Sequence, residues 1–306
     1  MSEHLSPNQR AWRRFRKNKP AVLSLIIFVV LVLLVLIWPW IAPYSWNTTS
    51  EAQFAPPSNS HWFGTDVHGR DVFTRVIYGA RISLMVGMVG AGVALVIGVL
   101  WGAIAGYVGG RWDNLMMRFV DVLYSLPSIV FVIVLITTLS ELARSWFATS
   151  FGKLGPQLAA STPIIFLFAG LGAVSWLTMA RIVRGQVLSI RQRSFVSASR
   201  ALGASHLRLL GAHILPNVYG IIIVYLTLTV PSIVLYESFL SYLGLGVQPP
   251  MASWGTLIAE GASQLNPIRI YWWLIVFPAS MLVLTLLSLN FLGDGLRDAF
   301  EPREST

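Results

Sequence analysis

The sequence predicts an all-α membrane protein with six transmembrane helices, and three observations lead to that class. Of the 306 residues, 55% are hydrophobic and only 11% are charged, whereas soluble domains carry about 25% charged residues. Apolar stretches of about 20 residues, the length that crosses a bilayer as a helix, occur six times along the chain. Lysine and arginine are concentrated in alternate connecting segments, which is the pattern that sets membrane topology.

The six predicted spans are separated by segments that contain charged, glycine or proline residues. The first span follows a run of basic residues and could instead be a secretory signal, but its apolar run is too long for the h-region of a signal peptide. We therefore expect an uncleaved anchor. No repeat of roughly 20–50 residues is visible, so we expect a single membrane domain. The predicted spans cover residues 22–41, 82–108, 116–139, 163–180, 218–243 and 270–292.

The distribution of basic residues predicts that both termini lie in the cytoplasm. With this orientation, 16 of the 22 lysines and arginines fall in cytoplasmic segments, with Arg118 counted at the edge of the third span. The positive-inside rule favours this orientation over its reverse. The predicted parts are a cytoplasmic N-terminal segment (1–21), a membrane domain (22–292) with outer loops at 42–81 and 244–269 and a cytoplasmic loop at 181–217, and a cytoplasmic tail (293–306).

Several functional classes lack the residues that they need. The chain has no cysteine, which excludes disulfides, thiolate metal sites and a cysteine nucleophile. No G-x-x-x-x-G-K-[ST] phosphate loop is present, and the five histidines are not at metal-ligand spacing within any span. We therefore predict no catalytic residue, no metal site and no cofactor bound by this chain. The net charge of +9 lies between the spans, so it indicates topology rather than binding of nucleic acid.

The loop at 181–217 is the most informative polar segment. It contains six arginines, and its apolar residues recur at spacings of three and four, which indicates two short amphipathic helices. Gly203 between them permits a bend or a left-handed backbone conformation. Ser205 is a candidate cap for the second helix, and Pro216 suits the first turn of the helix that enters the membrane. Such helices could dock in a groove of a soluble protein or lie on lipid.

The residue spacing in this loop resembles the signature of binding-protein-dependent ABC importer permeases. That signature is Glu-Ala-Ala, three residues, Gly, nine residues, Ile, one residue, Leu-Pro. Ala198, Gly203, Leu215 and Pro216 fall on it, while Ser197 stands where the glutamate is usual and cannot supply its charge. The resemblance implies a type I ABC importer transmembrane domain in a bacterial inner membrane. It also implies that this loop, a coupling-helix loop between spans four and five, accepts mechanical work from a separate ATPase.

Four further parts of the chain are similar to C-type subunits of dipeptide, oligopeptide and nickel permeases, the oligopeptide branch most closely. The resemblance implies a subunit of an ATP-driven peptide importer that forms half of the pathway and pairs with a second, homologous permease as a heterodimer. Two ABC ATPases, which use ATP and Mg²⁺, and an extracytoplasmic peptide-binding protein would complete the assembly. An importer of nickel chelates or other small solutes is the alternative. The similar segments are 61–84, 176–186, 237–246 with 253–255, and 294–302.

Ionisable residues inside the spans need a partner or a role, because burying a charge in a bilayer is costly. For Asp121 we expect an i, i+3 pair with Arg118. Glu237 has no obvious local partner, so we expect it to face the translocation cavity or the seam with the second permease. The turn-rich segment 61–84 is expected to be an outer loop closed by Asp–Arg pairs, or a lid near the mouth of the pathway.

Two other classes of membrane protein fit the sequence less well. A secondary transporter often shows inverted repeats and paired intramembrane charges, and an intramembrane enzyme needs a nucleophile with its base. Neither pattern is visible in the chain. Pro127 and Pro231 fall inside the third and fifth predicted spans, where they permit kinks that would suit either a gate or a static bundle.

Overall fold

The computed structural model describes residues 7–150 and 155–300, and within these two ranges the chain is helical without an extended strand. Two stretches, Leu135–Leu139 and Leu209–Ile214, have the wider hydrogen-bond pattern of a π-helix and continue the helices beside them. The α-helices are α1 (Pro7–Lys17), α2 (Lys19–Ile41), α3 (Val72–Val108), α4 (Gly110–Tyr124), α5 (Ser128–Val134), α6 (Ser140–Ser150), α7 (Gly155–Arg191), α8 (Ser194–Ala201), α9 (His206–Arg208), α10 (Leu215–Tyr242), α11 (Trp254–Ser263) and α12 (Trp273–Phe300).

Among the described residues, six helical stretches are long and apolar enough to cross a membrane, which confirms the predicted number of spans. The helices are longer than the apolar cores that the sequence marks, since α3 and α7 continue well beyond their predicted spans at one or both ends. The six stretches are Lys19–Ile41, Val72–Val108, Ser128–Ser150, Thr162–Arg191, His206–Tyr242 and Trp273–Phe300. The ends of the predicted N-terminal segment and C-terminal tail, residues 1–6 and 301–306, lie outside the described residues.

The predicted third span, 116–139, is wrong in its placement. The helix α4 ends at Tyr124 and a new helical stretch, Ser128–Ser150, forms the membrane-length segment instead. Pro127 explains the break, because a proline has no backbone N–H and disfavours helical geometry at the residue before it. The apolar residues on both sides of this break gave one continuous hydropathy signal in the sequence.

The contact between α3 and α7 is the most extensive helix–helix contact in the described chain. Glycines of α3 recur every fourth residue along the face that meets α7, at Gly98, Gly102 and Gly106. A Cβ atom on Gly102 would collide with the carbonyl oxygen of Ala180, so only glycine permits this approach. Small residues at such spacing are how membrane helices pack closely. The helix α10 packs against both α3 and α7 and completes the centre of the bundle.

The remaining helices lie around this centre. The helix α2 packs mainly on α12, and much of its apolar surface is exposed. The short helix α1 docks on α12 through Ala11 and Phe15, which are buried beside Ala299. The helix α11 contacts α3, α10 and α12 and begins with a capping box formed by Ser253 and Thr256.

Candidate coupling site

Residues 194–216, here called the turn segment, form a helix, a turn and the beginning of a second helix. Gly203 follows α8 with a φ of +85°. This left-handed backbone conformation, which residues other than glycine rarely adopt, confirms the predicted bend. The hydroxyl of Ser205 accepts the backbone N–H of Arg208 at 3.4 Å, which confirms the predicted cap. The end of the bundle that carries the turn segment is called the near end below, and the opposite end the far end.

The second helix of the turn segment continues into the membrane without a loop. The stretch from His206 to Tyr242 is helical throughout, with the π-helical residues Leu209–Ile214 between α9 and α10. Pro216 lies in the first turn of α10, as predicted. A proline interrupts the regular i to i−4 hydrogen-bond ladder, and here the ladder already changes its spacing in the π-helical residues just before it.

The turn segment has a buried side that anchors it to the bundle. Side chains from α8 and from the π-helical stretch pack against α7 and the start of α10 in one apolar cluster. This cluster therefore joins the turn segment to both α7 and α10. The fully buried members from the turn segment are Val196, Leu209 and Ile214, and those that they meet on α7 and α10 include Val183, Val187 and Val218.

The other side of the turn segment is exposed and apolar at its tip. Leu202 is 89% exposed and Leu207 is 85% exposed, on either side of the Gly203 turn. A Cβ atom on Gly203 would meet nothing within 4 Å. Two leucines that project into open space cost free energy in water, so this tip is suited to contact with another apolar surface.

The structure places the predicted coupling residues on or beside this tip. Ser197, Ala198, Gly203 and Pro216 are exposed, and Leu215 is half-buried against the α7 and α10 cluster. Their common location agrees with one surface, and the same tip carries Leu202 and Leu207, which belong to the apolar stripes of the two predicted helices but not to the permease signature. Leu202 lies one residue before Gly203 and Leu207 four residues after it, so their nearness to the turn is the signal that could have singled them out.

Polar contacts fix the helices that meet at the near end. The guanidinium of Arg191 donates to the carbonyl oxygen of Tyr107 at 2.7 Å, and the hydroxyl of Tyr107 lies 2.6 Å from Nδ1 of His206. Arg184 makes a two-pronged contact with the buried Asp113, at 2.5 and 2.7 Å. Such bidentate arginine–carboxylate pairs are directional as well as strong. These contacts of Arg184 and Arg191 hold α3, α4 and α7 together beside the turn segment.

Asp121 has a different partner from the predicted one. Its carboxylate accepts a hydrogen bond from Nη2 of Arg181 on α7 at 2.7 Å and does not pair with Arg118, three residues away. The same guanidinium lies over the ring of Tyr124, 4.1 Å from its centroid. Arg118 and Asp121 both lie on α4 at the predicted spacing, but the sequence did not reveal the closer partner because Arg181 lies 60 residues away on α7.

Glu237 lies near the end of α10, and its side chain has no exposed surface. Ser83 donates to its Oε2 at 3.0 Å and Ser241 donates to its Oε1 at 2.6 Å. These hydroxyls in turn accept the backbone N–H groups of Trp254 and Val247. In this structure Glu237 therefore joins α3, α10 and the beginning of α11 inside the chain, whereas the sequence analysis expected it to face the translocation cavity or the seam with the second permease. Ser83 is 154 residues away in the chain, which is why a search for local partners missed it.

Comparisons with known proteins give this architecture a family. The model for binding-protein-dependent transport system inner membrane components matches residues 98–306, and the model for the N-terminal TM domain of oligopeptide transport permease C matches residues 6–57. The oligopeptide transport system permease protein OppC of Escherichia coli (strain K12) is 46% identical over 97% of this chain and 91% of its own length. The dipeptide transport system permease protein DppC of Bacillus subtilis (strain 168) is 45% identical over 98% of this chain and 87% of its own length.

The chain belongs to this family of binding-protein-dependent inner membrane permeases. A chain of the inward-facing MetNI methionine ABC transporter has a TM-score of 0.55 to it at 21% identity, and the match covers 74% of this chain and 97% of that one. This likeness shows the type I importer fold. As a family member, the permease is a multi-pass inner membrane protein and a subunit of a transporter that also has ATPase and substrate-binding components.

The far end of the permease is closed by an ion-pair network, which includes the predicted Asp–Arg pairs. The carboxylate of Asp66 accepts a hydrogen bond from Nη1 of Arg75 at 2.6 Å and another from Nε of Arg70 at 2.7 Å. Arg75 also donates to both carboxylate oxygens of Glu260 on α11, at 2.6 and 3.1 Å. The loop before α3 is thereby tied to α11, a link that the sequence did not reveal because 185 residues separate Arg75 from Glu260.

Two opposing effects act on the pKa of Asp66. Burial acts to raise this pKa, but hydrogen bonds from the backbone N–H groups of Arg70 and His68 and the charges of Arg75 and Arg70 outweigh it, so the pKa lies below its usual value. Asp66 is thus held as a carboxylate within the network.

In the described parts of the permease, no group of three or more histidine, aspartate or glutamate side chains is placed to hold a metal ion.

Proposed function

We propose that the chain is the C-type permease subunit of an ATP-driven importer of oligopeptides or dipeptides, and that the turn segment is where it receives movement from an ATPase. The observation that carries the proposal is the tip of the turn segment, where Leu202 and Leu207 are almost fully exposed around Gly203. The names of the relatives, oligopeptide and dipeptide permeases, favour peptides over nickel chelates or other small solutes as cargo.

The surface chemistry of the tip supports docking of a partner protein rather than burial within this chain. Short amphipathic helices bind other proteins by laying apolar side chains in a groove. The basic side chains Arg200 and Arg208 of the turn segment, and Arg193 just before it, are exposed, so an acidic rim on the groove would complement them. Ser197 is exposed in place of the usual glutamate, so we infer that this permease relies on apolar contact and its arginines for docking.

Coupling requires that movement at the tip reaches the helices that span the membrane. The buried side of the turn segment packs on α7 and α10, and its second helix is continuous with α10. Closure of two ATPases on bound ATP and Mg²⁺ would bring two such tips together. The bundles of this permease and of a second, homologous permease would then tilt from an inward-open to an outward-open arrangement, while neither bundle changes its internal packing.

The remaining parts of the assembly follow from the same proposal. Both termini and the near end lie in the cytoplasm, as the distribution of basic residues favours, so that the turn segment is within reach of the ATPases. The far end then faces the extracytoplasmic side, where a peptide-binding protein delivers cargo. The permease itself binds no ATP and catalyses no reaction, and its site residues are those of docking and transmission.

Co-purification tests this proposal most directly. A tag on the C-terminus would be used to isolate the chain from native membranes, and the eluate would be assayed for ATPase activity and for uptake of labelled peptides after reconstitution with the copurified subunits. We expect two ATPase chains and a different, homologous permease, with uptake of peptides but not of a nickel chelate. A chain that elutes alone and moves solute without ATP would contradict the proposal and indicate a secondary transporter.

A further inference from the structure

A cleft of about 340 Å³ opens between α2 and α3 at the far end of the bundle. The end of α3 that carries Tyr107 lies beside the turn segment, so its other end, which contains Tyr78 and Arg81, is remote from it. The cleft is lined by aromatic and small or aliphatic side chains from α2, from the loop that follows it and from α3, together with one arginine. These residues include Trp38, Tyr44, Trp46, Tyr78 and Arg81.

The aromatic walls are held in place by contacts between the residues that line the cleft. The rings of Trp46 and Tyr78 stack with their centroids 4.3 Å apart and only 7° between their planes. The indole N–H of Trp38 donates to the hydroxyl of Thr74 at 3.3 Å. The cleft is therefore formed before any ligand enters, which lowers the cost of ordering side chains on binding.

Arg81 is the cation of this cleft, and no acidic side chain among the described residues neutralises it. Arg70 and Arg75, which precede it on the same side of the bundle, both pair with acidic side chains. Arg81 is exposed and makes no hydrogen bond or ion pair with any residue in 7–150 or 155–300. A guanidinium beside apolar walls, free of a counter-charge, is suited to bind an anion with two parallel hydrogen bonds.

The level of the cleft along the membrane-spanning helices indicates which anion would reach it. Arg81 immediately precedes the long apolar stretch of α3, and Trp38 lies close to the end of α2 at Ile41. Arginine, tryptophan and tyrosine at such positions mark the level of lipid headgroups. The surface of α2 beside the cleft is apolar and exposed, as expected of a lipid-facing helix; its exposed side chains include Leu33, Leu36, Ile37 and Trp40.

We propose that this cleft is a binding site for one phospholipid, with the headgroup phosphate on Arg81. The glycerol backbone and the first methylene groups of the acyl chains would pack against Trp38, Trp46 and Tyr78. A peptide carboxylate would meet the same cation. The lipid is the better match, because the cleft opens beside the peripheral helix α2 rather than between the central helices α3, α7 and α10.

The test is native mass spectrometry of the tagged full-length chain, purified with its accompanying subunits and mixed with defined amounts of phosphatidylglycerol. We compare wild type with Arg81→Gln, which removes the charge, and with Ala42→Phe, which fills the cleft and leaves Arg81 intact. One tightly bound phospholipid is expected on the wild type. Its apparent affinity should fall roughly fivefold in Arg81→Gln, the worth of one basic residue at a membrane surface, and should also fall in Ala42→Phe.

Arg269→Gln is the matched control, because Arg269 is another exposed arginine, in the loop between α11 and α12, and does not line the cleft. Its lipid affinity should equal that of the wild type. Equal affinity in wild type and Arg81→Gln would overturn the proposal. Displacement of the bound lipid by inorganic phosphate would identify a site for a free anion instead, and displacement by a dipeptide would identify a site for cargo, so either result would also overturn it.

Discussion

The two ends of the helical bundle differ in how their connecting segments are held. At the far end, the loop before α3 is fixed by buried charges and by indole N–H groups, such as that of Trp273, which donates to the carbonyl oxygen of Thr65 at 3.2 Å. At the near end, the turn segment buries one side and presents Leu202 and Leu207 to open space. The loop before α3 is thus held by partners within the chain, whereas the tip of the turn segment presents two leucines that lack such partners.

This difference separates stability from coupling. Buried, mutually bonded groups are expensive to disrupt because the surviving partner is left unsatisfied. Exposed side chains contribute little to the fold of the chain that carries them, so their replacement affects mainly what they contact in a complex. Substitutions at the far end should therefore change unfolding, and substitutions at the tip of the near end should change association and transport.

The largest effect on unfolding is expected from Arg75→Met. Arg75 is 3% exposed between Asp66 and Glu260, so its loss leaves a buried carboxylate with only Arg70 as a cation and should cost about 3–5 kcal/mol. Thermal unfolding in detergent measures the change. Arg144→Met is the matched control, because Arg144 and Glu141 are 58% and 72% exposed and 3.9 Å apart, and such pairs contribute about 0–1 kcal/mol. Equal losses in the two variants would remove the basis of the comparison.

Gly203→Arg should lower the rate of ATP-coupled uptake about a hundredfold or more and leave membrane insertion intact. The left-handed φ of +85° strains any residue with a Cβ atom, and the arginine would project from the docking tip. Uptake of labelled peptide in reconstituted vesicles measures the effect, with expression and thermal unfolding as the measures of folding. Gly203→Asn is the control, since asparagine tolerates this conformation, and it should retain most of the uptake. Normal uptake by the arginine variant would refute the coupling role.

Glu237→Gln tests the buried hydrogen bonds near the end of α10. The glutamine amide presents N–H groups to one of the serine hydroxyls that now donate to the carboxylate, and an unsatisfied buried donor costs about 1–3 kcal/mol. Hydrogen exchange should become faster in residues 243–256, which contain the backbone N–H groups that Ser83 and Ser241 accept. Unchanged exchange in that stretch would show that Glu237 does not hold α11 in place.

Leu207→Asp should weaken the association with the ATPase about tenfold without changing the unfolding temperature. The side chain is 85% exposed, so the fold of the permease gains nothing from it, while an aspartate at an apolar contact is desolvated on docking. Ile268→Asp is the control, because Ile268 is 87% exposed in the loop between α11 and α12. Pull-down of purified ATPase compares the two. Retained binding by Leu207→Asp would favour the alternative in which the turn segment lies on lipid.

The smallest effect expected is a dependence of far-end stability on pH. The folded pKa of Asp66 lies below its ordinary value of 3.8, so the stability that this carboxylate contributes is complete above about pH 5 and is lost as the pH falls through the folded pKa. Thermal unfolding should therefore shift to lower temperature on acidification below about pH 4. Asp66→Asn should lose that part of the dependence, and an unchanged profile in this variant would assign the acid sensitivity to other groups.

Local sequence patterns predicted the features that depend on neighbouring residues. The number of spans follows from hydropathy, and the turn at Gly203 and the cap at Ser205 follow from the conformational preferences of those residues. The third span was misplaced because Pro127 divides a stretch whose hydropathy is continuous. The partners of Asp121 and Glu237 could not be found locally, because they come from other helices, 60 and 154 residues away in the chain.

The continuity of the turn segment with α10 makes this helix a lever. The helical stretch His206–Tyr242 contains 37 residues, which corresponds to a rod about 55 Å long at about 1.5 Å per residue. A rotation of only about 5° about its inner end would displace its outer end by about 5 Å. Because no loop lies between Leu207 and the residues beside Glu237, the proposed docking of an ATPase at the tip would pass its angular displacement along one helix to the far end of the bundle.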